Sequence, residues 1–208
     1  MIACSPSGRR YRQVIKRLTD VGLSLLLIIL ASPLLVLVGL LVLCMDGPPM
    51  IHRRRVVGPR GEFDAFKFRS MRPDADRLLE QDPELKRAFE TSFKLVSDPR
   101  VTRLGAFLRR YSLDELPQLF NVLIGQMSLV GPRIVTAAEL EKYGEYDRLL
   151  LTVKPGLTGY WQVHGRQEVT YAERVRMDVE YILHWCLMLD LKILIRTPSR
   201  VISGRGSF

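Results

Sequence analysis

Between Asp20 and Asp46 lie 25 residues without a charged side chain, Val21 to Met45. As a straight helix such a run measures about 37 Å, ample for a hydrocarbon core of roughly 30 Å. It is too long for a signal peptide, and no small-residue cleavage site precedes the basic residues that follow. Ser32-Pro33 sits at its centre, where proline removes an intrahelical hydrogen bond and clashes with the carbonyl four residues back. Both flanks are basic: Arg9, Arg10, Arg12, Lys16 and Arg17 before, Arg53, Arg54, Arg55 and Arg60 after. Such flanks prefer the cytoplasmic side, and on the residues alone two topologies stay open. One is a spanning anchor kinked at proline. The other is a re-entrant helix, broken at Ser32 and Pro33, that returns both flanks to one side. Its freed backbone groups would then need Ser32 or protein partners, since lipid offers none.

The whole chain has 208 residues and a formal net charge of +9, a length that supports one real core beside the apolar element. Residues 1–60 hold +7 of that charge, nine Lys/Arg against Asp20 and Asp46. The excess therefore brackets the apolar run, where basic residues meet anionic headgroups. No zinc finger, basic zipper or RNA-binding motif accompanies it, which argues against a nucleic-acid partner. Cys4, Cys44 and Cys186 fit neither a metal spacing nor a disulfide framework, as expected of a reduced, cytoplasm-facing domain. His52, His164 and His184 form no cluster and read as surface or packing residues. The organisation expected is a basic segment over 1–20, a membrane helix over 21–45 and a membrane-associated domain over 46–208.

The fold class this predicts is α+β and mainly helical. Gly58-Pro59-Arg60-Gly61 is a turn signal between Val56-Val57 and the alternating stretch Phe63 to Phe68, which predicts a short β-hairpin. Residues 74–96 are helical in composition, interrupted at Asp82-Pro83, and Asp98-Pro99 marks a turn. Leu104, Phe107, Leu108 and Tyr111 fall on one helical face, and Leu116, Leu119, Phe120 and Leu123 repeat the pattern before Gly125 stops it. A long loop is expected around Lys154 to Gly159, then a last helix from about Tyr171 to Ile195. Its mixture of aromatic, aliphatic and basic residues suits a helix lying in the headgroup layer, and core packing explains it equally well.

Ser112-Leu113-Asp114-Glu115-Leu116-Pro117 lies between the two amphipathic helices. Ser112 and Glu115 have capping-box spacing, and acids at a helix N-terminus offset its dipole, so locally capping is the stronger reading. Pro117 fits a helix start nearer Asp114 better. The wider context supplies arginines near glycine and proline: Arg109 and Arg110, Arg133 in Gly131-Pro132-Arg133, and Arg166 after Gly165. Arginine presents a planar donor fork to phosphate oxygens. An adjacent Asp and Glu can hold magnesium together with substrate phosphates, and a carboxylate can attack phosphorus. Together these parts describe phosphoryl transfer from a diphosphate, although each alone is weak.

The run from Arg109 through Leu119 and Met127 to Arg133 resembles the signature of the bacterial sugar transferases, the monotopic polyprenyl-phosphate phosphoglycosyl transferases. So do Phe66-Lys67-Phe68-Arg69-Ser70-Met71, Lys154 to Gly159, Trp161-Gln162-Val163 with Gly165-Arg166, and Asp190 to Leu194. The similarity runs from about Lys16 to the C-terminus and is nearest to the hexose-1-phosphate enzymes. It implies a re-entrant helix broken at Ser32-Pro33, with Asp114 as nucleophile and Glu115 as ligand of Mg2+. It places Arg109, Arg133, Arg166, Lys67 and Arg69 as contacts for substrate phosphates. It also implies a UDP-sugar donor, an undecaprenyl phosphate acceptor, membrane lipid around the apolar helix, and residence on the cytoplasmic face of the bacterial inner membrane. The product would be the first lipid-linked intermediate of exopolysaccharide or O-antigen type glycan assembly. Larger relatives carry an extra multi-helix membrane region, so this chain is expected to be a minimal catalytic unit. The family's usual Gly-Pro-Arg-Pro reads Gly-Pro-Arg-Ile here, which leaves the Arg133 loop open to a shift at Ile134. A non-catalytic membrane scaffold for polysaccharide assembly is the alternative, against which the intact Asp114-Glu115 pair argues. Which sugar and which pathway stay open, as does oligomeric state, a homodimer included.

Overall fold

The computed structural model describes residues 6–92, 95, 98–164 and 169–203. Its first element, α1 (Pro6–Asp46), runs as one helix through Ser32 and Pro33, so the expected break is not an interruption of helical backbone. Pro33 cannot donate to the carbonyl of Ile29, and the Ser32 hydroxyl does so in its place at 2.8 Å. Only 17% of the most apolar stretch of α1 is buried, so this is not the central helix of a soluble core. One face turns inward along its length: Asp20, Ser24, Ile28, Leu35, Val38 and Val42. The opposite face exposes Leu26, Ile29, Leu30, Val36, Leu37 and Leu40.

Both halves of α1 dock on the same domain. In the first half, Asp20 accepts from the Ser128 hydroxyl at 2.8 Å and the Leu129 N–H at 3.0 Å. Lys16 donates to Asp190 at 2.6 Å and to the Val130 carbonyl at 3.0 Å. In the second half, Val38 and Val42 pack with Phe68 and Leu108. Arg69 then fastens the end of the helix, donating to the carbonyls of Asp46, Gly47 and Pro48.

The predicted hairpin is β1 (Ile51–Gly58) and β2 (Gly61–Phe68), antiparallel from Ile51 opposite Phe68 to Gly58 opposite Gly61. It starts earlier than expected, because the basic residues Arg53 to Arg55 lie within β1. Gly61, at φ 99°, supplies the positive dihedral that the tight connection needs. Val56, Phe63 and Ala65 face the main core.

Two helices, α2 (Ala75–Gln81) and α3 (Pro83–Ser92), split at Asp82 as anticipated, and the Asp82 carboxylate accepts the N–H groups of Glu84 and Leu85. The amphipathic pair is α4 (Arg103–Arg110) and α5 (Gln118–Ile124), the latter ended by Gly125 at φ 91°. Beyond it β3 (Ser128–Val130) pairs in parallel with β4 (Gly156–Thr158), formed by residues expected to be loop. Short helices α6 (Ala137–Glu141), α7 (Asp147–Leu150) and α8 (Tyr160–His164) follow the chain order. The single final helix expected is two, α9 (Tyr171–Leu183) and α10 (Leu187–Ser203). The break lets the Tyr181 hydroxyl and the Trp185 indole both reach Asp190, at 2.7 and 3.1 Å, where Lys16 already pairs. Leu119, Val122, Met127, Leu129, Val163 and Ile193 fill the main core between α5, the parallel strands and α10.

Candidate active site

Asp114 and Glu115 do not cap a helix. Ser112 takes a left-handed conformation at φ 53° and its side chain makes no capping bond. Leu113–Glu115 form one 3₁₀ turn, and α5 begins only at Gln118, after Pro117. The turn carries Asp114 inward until 6% of it is exposed.

Basic side chains from three elements converge on this turn. From β2, the Lys67 ammonium lies 2.7 Å from Glu115 Oε1, and both side chains are largely buried. After β3, Arg133 Nη2 stands 3.7 Å from the same oxygen. At the end of α4, Arg109 Nε donates to the Ser70 hydroxyl at 2.9 Å and its charge acts on both acids. Among the described residues no hydrogen bond reaches Glu115 Oε2 or either oxygen of Asp114. The two acids titrate apart. Burial raises Asp114 above the usual carboxylate range, helped by the charge of Glu115, against the pull of Lys67, Arg109 and Arg133. Burial opposes the charge of Glu115 as well, but Lys67 and then Arg133 outweigh it and hold that carboxyl down to about 2.

Backbone contacts keep these side chains in place. Asn121, wholly buried in α5, donates to the Asp64 carbonyl and accepts from the Phe66 N–H, at 2.8 and 2.9 Å. It thereby pins β2 and Lys67 to the helix that follows the dyad. Gly105 lets α4 lie directly against Ser70, where any Cβ would strike the Ser70 carbonyl. Gly131 and Gly156 touch backbone to backbone, and the Gly156 N–H donates to the Pro132 carbonyl at 2.8 Å, which holds the Arg133 loop. The Arg133 guanidinium stands 5.6 Å from the centre of the Trp161 ring, a cation–π distance. Ile134 is 2% exposed and fills the main core, with Arg133 still directed at Glu115.

The structure thus brings Asp114, Glu115, Lys67, Arg109 and Arg133 together. Arg69 is not among them, because its guanidinium serves the carbonyls at the end of α1. Arg166 lies outside the described residues. Sequence reasoning missed Asn121 and Ser70, and also Arg54, which pairs with buried Glu139 at 2.7 Å and acts on Glu115. Asn121 lies off the face expected from Leu116, Leu119, Phe120 and Leu123, so apolar spacing gave no signal for it; the structure buries Gln118, Asn121 and Val122 with Leu119 and leaves Phe120 42% exposed. Among the described residues no three His, Cys, Asp or Glu side chains gather for a metal. Glu115, with one oxygen that receives no hydrogen bond among the described residues, suits a hard cation that completes its shell with water and phosphate oxygens.

The family described as bacterial sugar transferase matches residues 11–204. The chain is 42% identical over 206 residues to an undecaprenyl-phosphate galactose phosphotransferase of Salmonella typhimurium, covering 97% of this chain and 43% of that protein. It is 43% identical to the exopolysaccharide production protein ExoY of Sinorhizobium fredii, over 93% of this chain and 88% of that one. With a UDP-glucose:undecaprenyl-phosphate glucose-1-phosphate transferase of Escherichia coli it shares 40% identity, over 94% of this chain and 42% of that protein. The chain therefore spans less than half of two of these relatives and most of the third.

Proposed function

The chain belongs to the bacterial sugar transferase family, and on that premise we propose that it transfers a sugar 1-phosphate from a UDP-sugar to undecaprenyl phosphate. The observation that carries this reading is the buried Asp114 beside Glu115, ringed by Lys67, Arg109 and Arg133. An Asp114 oxygen attacks the sugar-bearing phosphorus of the donor. A P–O bond forms to the carboxylate, the bond to the bridging oxygen breaks, and UMP leaves with that electron pair. A phosphate oxygen of the lipid then attacks the same phosphorus and frees the carboxylate. Lys67, Arg109 and Arg133 offset the negative charge of the diphosphate in a poorly solvated site. Glu115 would hold Mg2+, which when bound adds charge stabilisation on the phosphate oxygens. The relatives' names favour a hexose, galactose or glucose, and a role in exopolysaccharide or related glycan assembly.

A two-step reaction suits one water-soluble and one lipid-borne substrate, and the placement of α1 supports that division. Lys16 and Asp20 near one end and Val38, Val42 and Asp46 near the other all dock on one domain. A helix crossing the bilayer would carry its ends to opposite sides. We read α1 as re-entrant, with the Ser32–Ile29 bond meeting the backbone group that lipid cannot, and the domain on the cytoplasmic face. The test is UMP release from a panel of UDP-sugars in the presence of undecaprenyl phosphate. One sugar or a narrow set should release UMP in step with lipid-linked product; no release from any donor would remove the proposal.

A further inference from the structure

At the end of α5 farthest from the dyad, Arg17 and Lys154 come together. Arg17 is fixed there, its two terminal nitrogens donating to the carbonyls of Val122 and Leu123 at 2.7 and 2.8 Å. A Cβ placed on Gly125 would stand 3.1 Å from Arg17 Nη2 and 3.7 Å from Lys154 Nζ. The two cations are therefore within about 7 Å of each other, less than the roughly 8 Å over which physiological salt screens charge. The backbone of Lys154 is held close by its contact with Gly131. Its ammonium is pushed below the usual lysine range by burial, then by Arg17 and Arg60, with Lys16 adding to the effect. Asp20, the acid that opposes this shift, already accepts bonds from Ser128 and Leu129.

Cations at a helix C-terminus commonly cap its free carbonyls. That accounts for Arg17, which takes two of them. It does not account for Lys154, which makes no hydrogen bond or ion pair among the described residues. Like charges held side by side with one ammonium half-buried are complementary to an anion. The chemistry around them narrows which anion. Leu18, next to Arg17, is 67% exposed, and Ile124, next to Gly125, is 60% exposed. Cations bordered by exposed hydrocarbon match a ligand with an anionic head and an apolar tail.

We infer that Arg17 and Lys154 form a binding site for the phosphate headgroup of a membrane lipid, at the opposite end of α5 from Asp114. This rests on the membrane placement of α1 proposed above. The test is native mass spectrometry of the full chain released from micelles doped with phosphatidylglycerol, with phosphatidylcholine, or with inorganic phosphate. Wild type should retain phosphatidylglycerol over phosphatidylcholine. Lys154→Gln should lower the retained fraction roughly tenfold, the loss of one charge-assisted contact, and Lys154→Arg should restore it. Equal retention of both lipids, or of phosphatidylglycerol by wild type and Lys154→Gln, would overturn the site. Retention of inorganic phosphate with the same Lys154 dependence would overturn its assignment to lipid. Flotation with phosphatidylcholine vesicles separates the two levels: both chains should float equally, and failure of both to float would count against the placement of α1 instead.

Discussion

A buried carboxylate proposed to attack phosphorus is under opposing demands, because burial favours its neutral form and the proposed reaction needs its charge. Asp114 shows this in a carboxyl raised above its ordinary 3.8 by burial and by Glu115. A carboxyl whose folded pKa burial raises above its unfolded value destabilises the fold in full above the folded value, and the penalty shrinks as pH falls below it and is gone below the unfolded value. Asp114→Asn removes that charge while keeping the shape. It should therefore melt higher than wild type near pH 7, with the difference shrinking as pH is lowered toward 4. Equal melting temperatures throughout would mean that Asp114 carries no such penalty. Glu115 is the reverse case, ionised at any physiological pH and held by Lys67 and Arg133. Glu115→Gln offers a hard cation a poorer ligand, so the magnesium concentration for half-maximal turnover should rise severalfold. Retained turnover with unchanged magnesium dependence would remove the ligand role.

The re-entrant topology proposed for α1 assigns its decisive position to Pro33. Pro33→Leu restores the backbone hydrogen bond to Ile29 and removes the proline from an apolar helix long enough to span. A tag at residue 1 should then become accessible from the periplasm in part of the population. A tag that stays cytoplasmic, also in a double change of Ser32 and Pro33, would show that proline does not set the topology. The hairpin depends on a different residue. Asn121→Ala leaves the Phe66 N–H without its partner and removes the donor to the Asp64 carbonyl, which should cost about 2 kcal/mol. Denaturant unfolding measures that loss, and a change near zero would mean that pairing with β1 and packing hold β2 without Asn121.

Across the whole molecule, what was legible in the sequence is what short-range chemistry specifies. The Gly58-Pro59-Arg60-Gly61 turn announced the hairpin, and apolar spacing with Gly125 announced α4 and α5. Long-range pairs were not legible, because periodicity holds no record of which distant residues meet: Lys16 with Asp190, Asn121 with Asp64, Arg69 with the end of α1. The dyad was misleading for a related reason, since Ser112 and Glu115 have the spacing of a capping box while the left-handed Ser112 makes no such cap. Family resemblance, rather than local pattern, pointed to Asp114 as the reacting group. The most direct test of that claim supplies the UDP-sugar donor alone, with no lipid acceptor, and quenches rapidly. The chain should release up to one equivalent of UMP and gain the mass of a hexose phosphate on the peptide containing Asp114, while Asp114→Asn should do neither. UMP released only when both substrates are present, with no adduct on any peptide, would contradict the covalent mechanism and recast Asp114 as a general base.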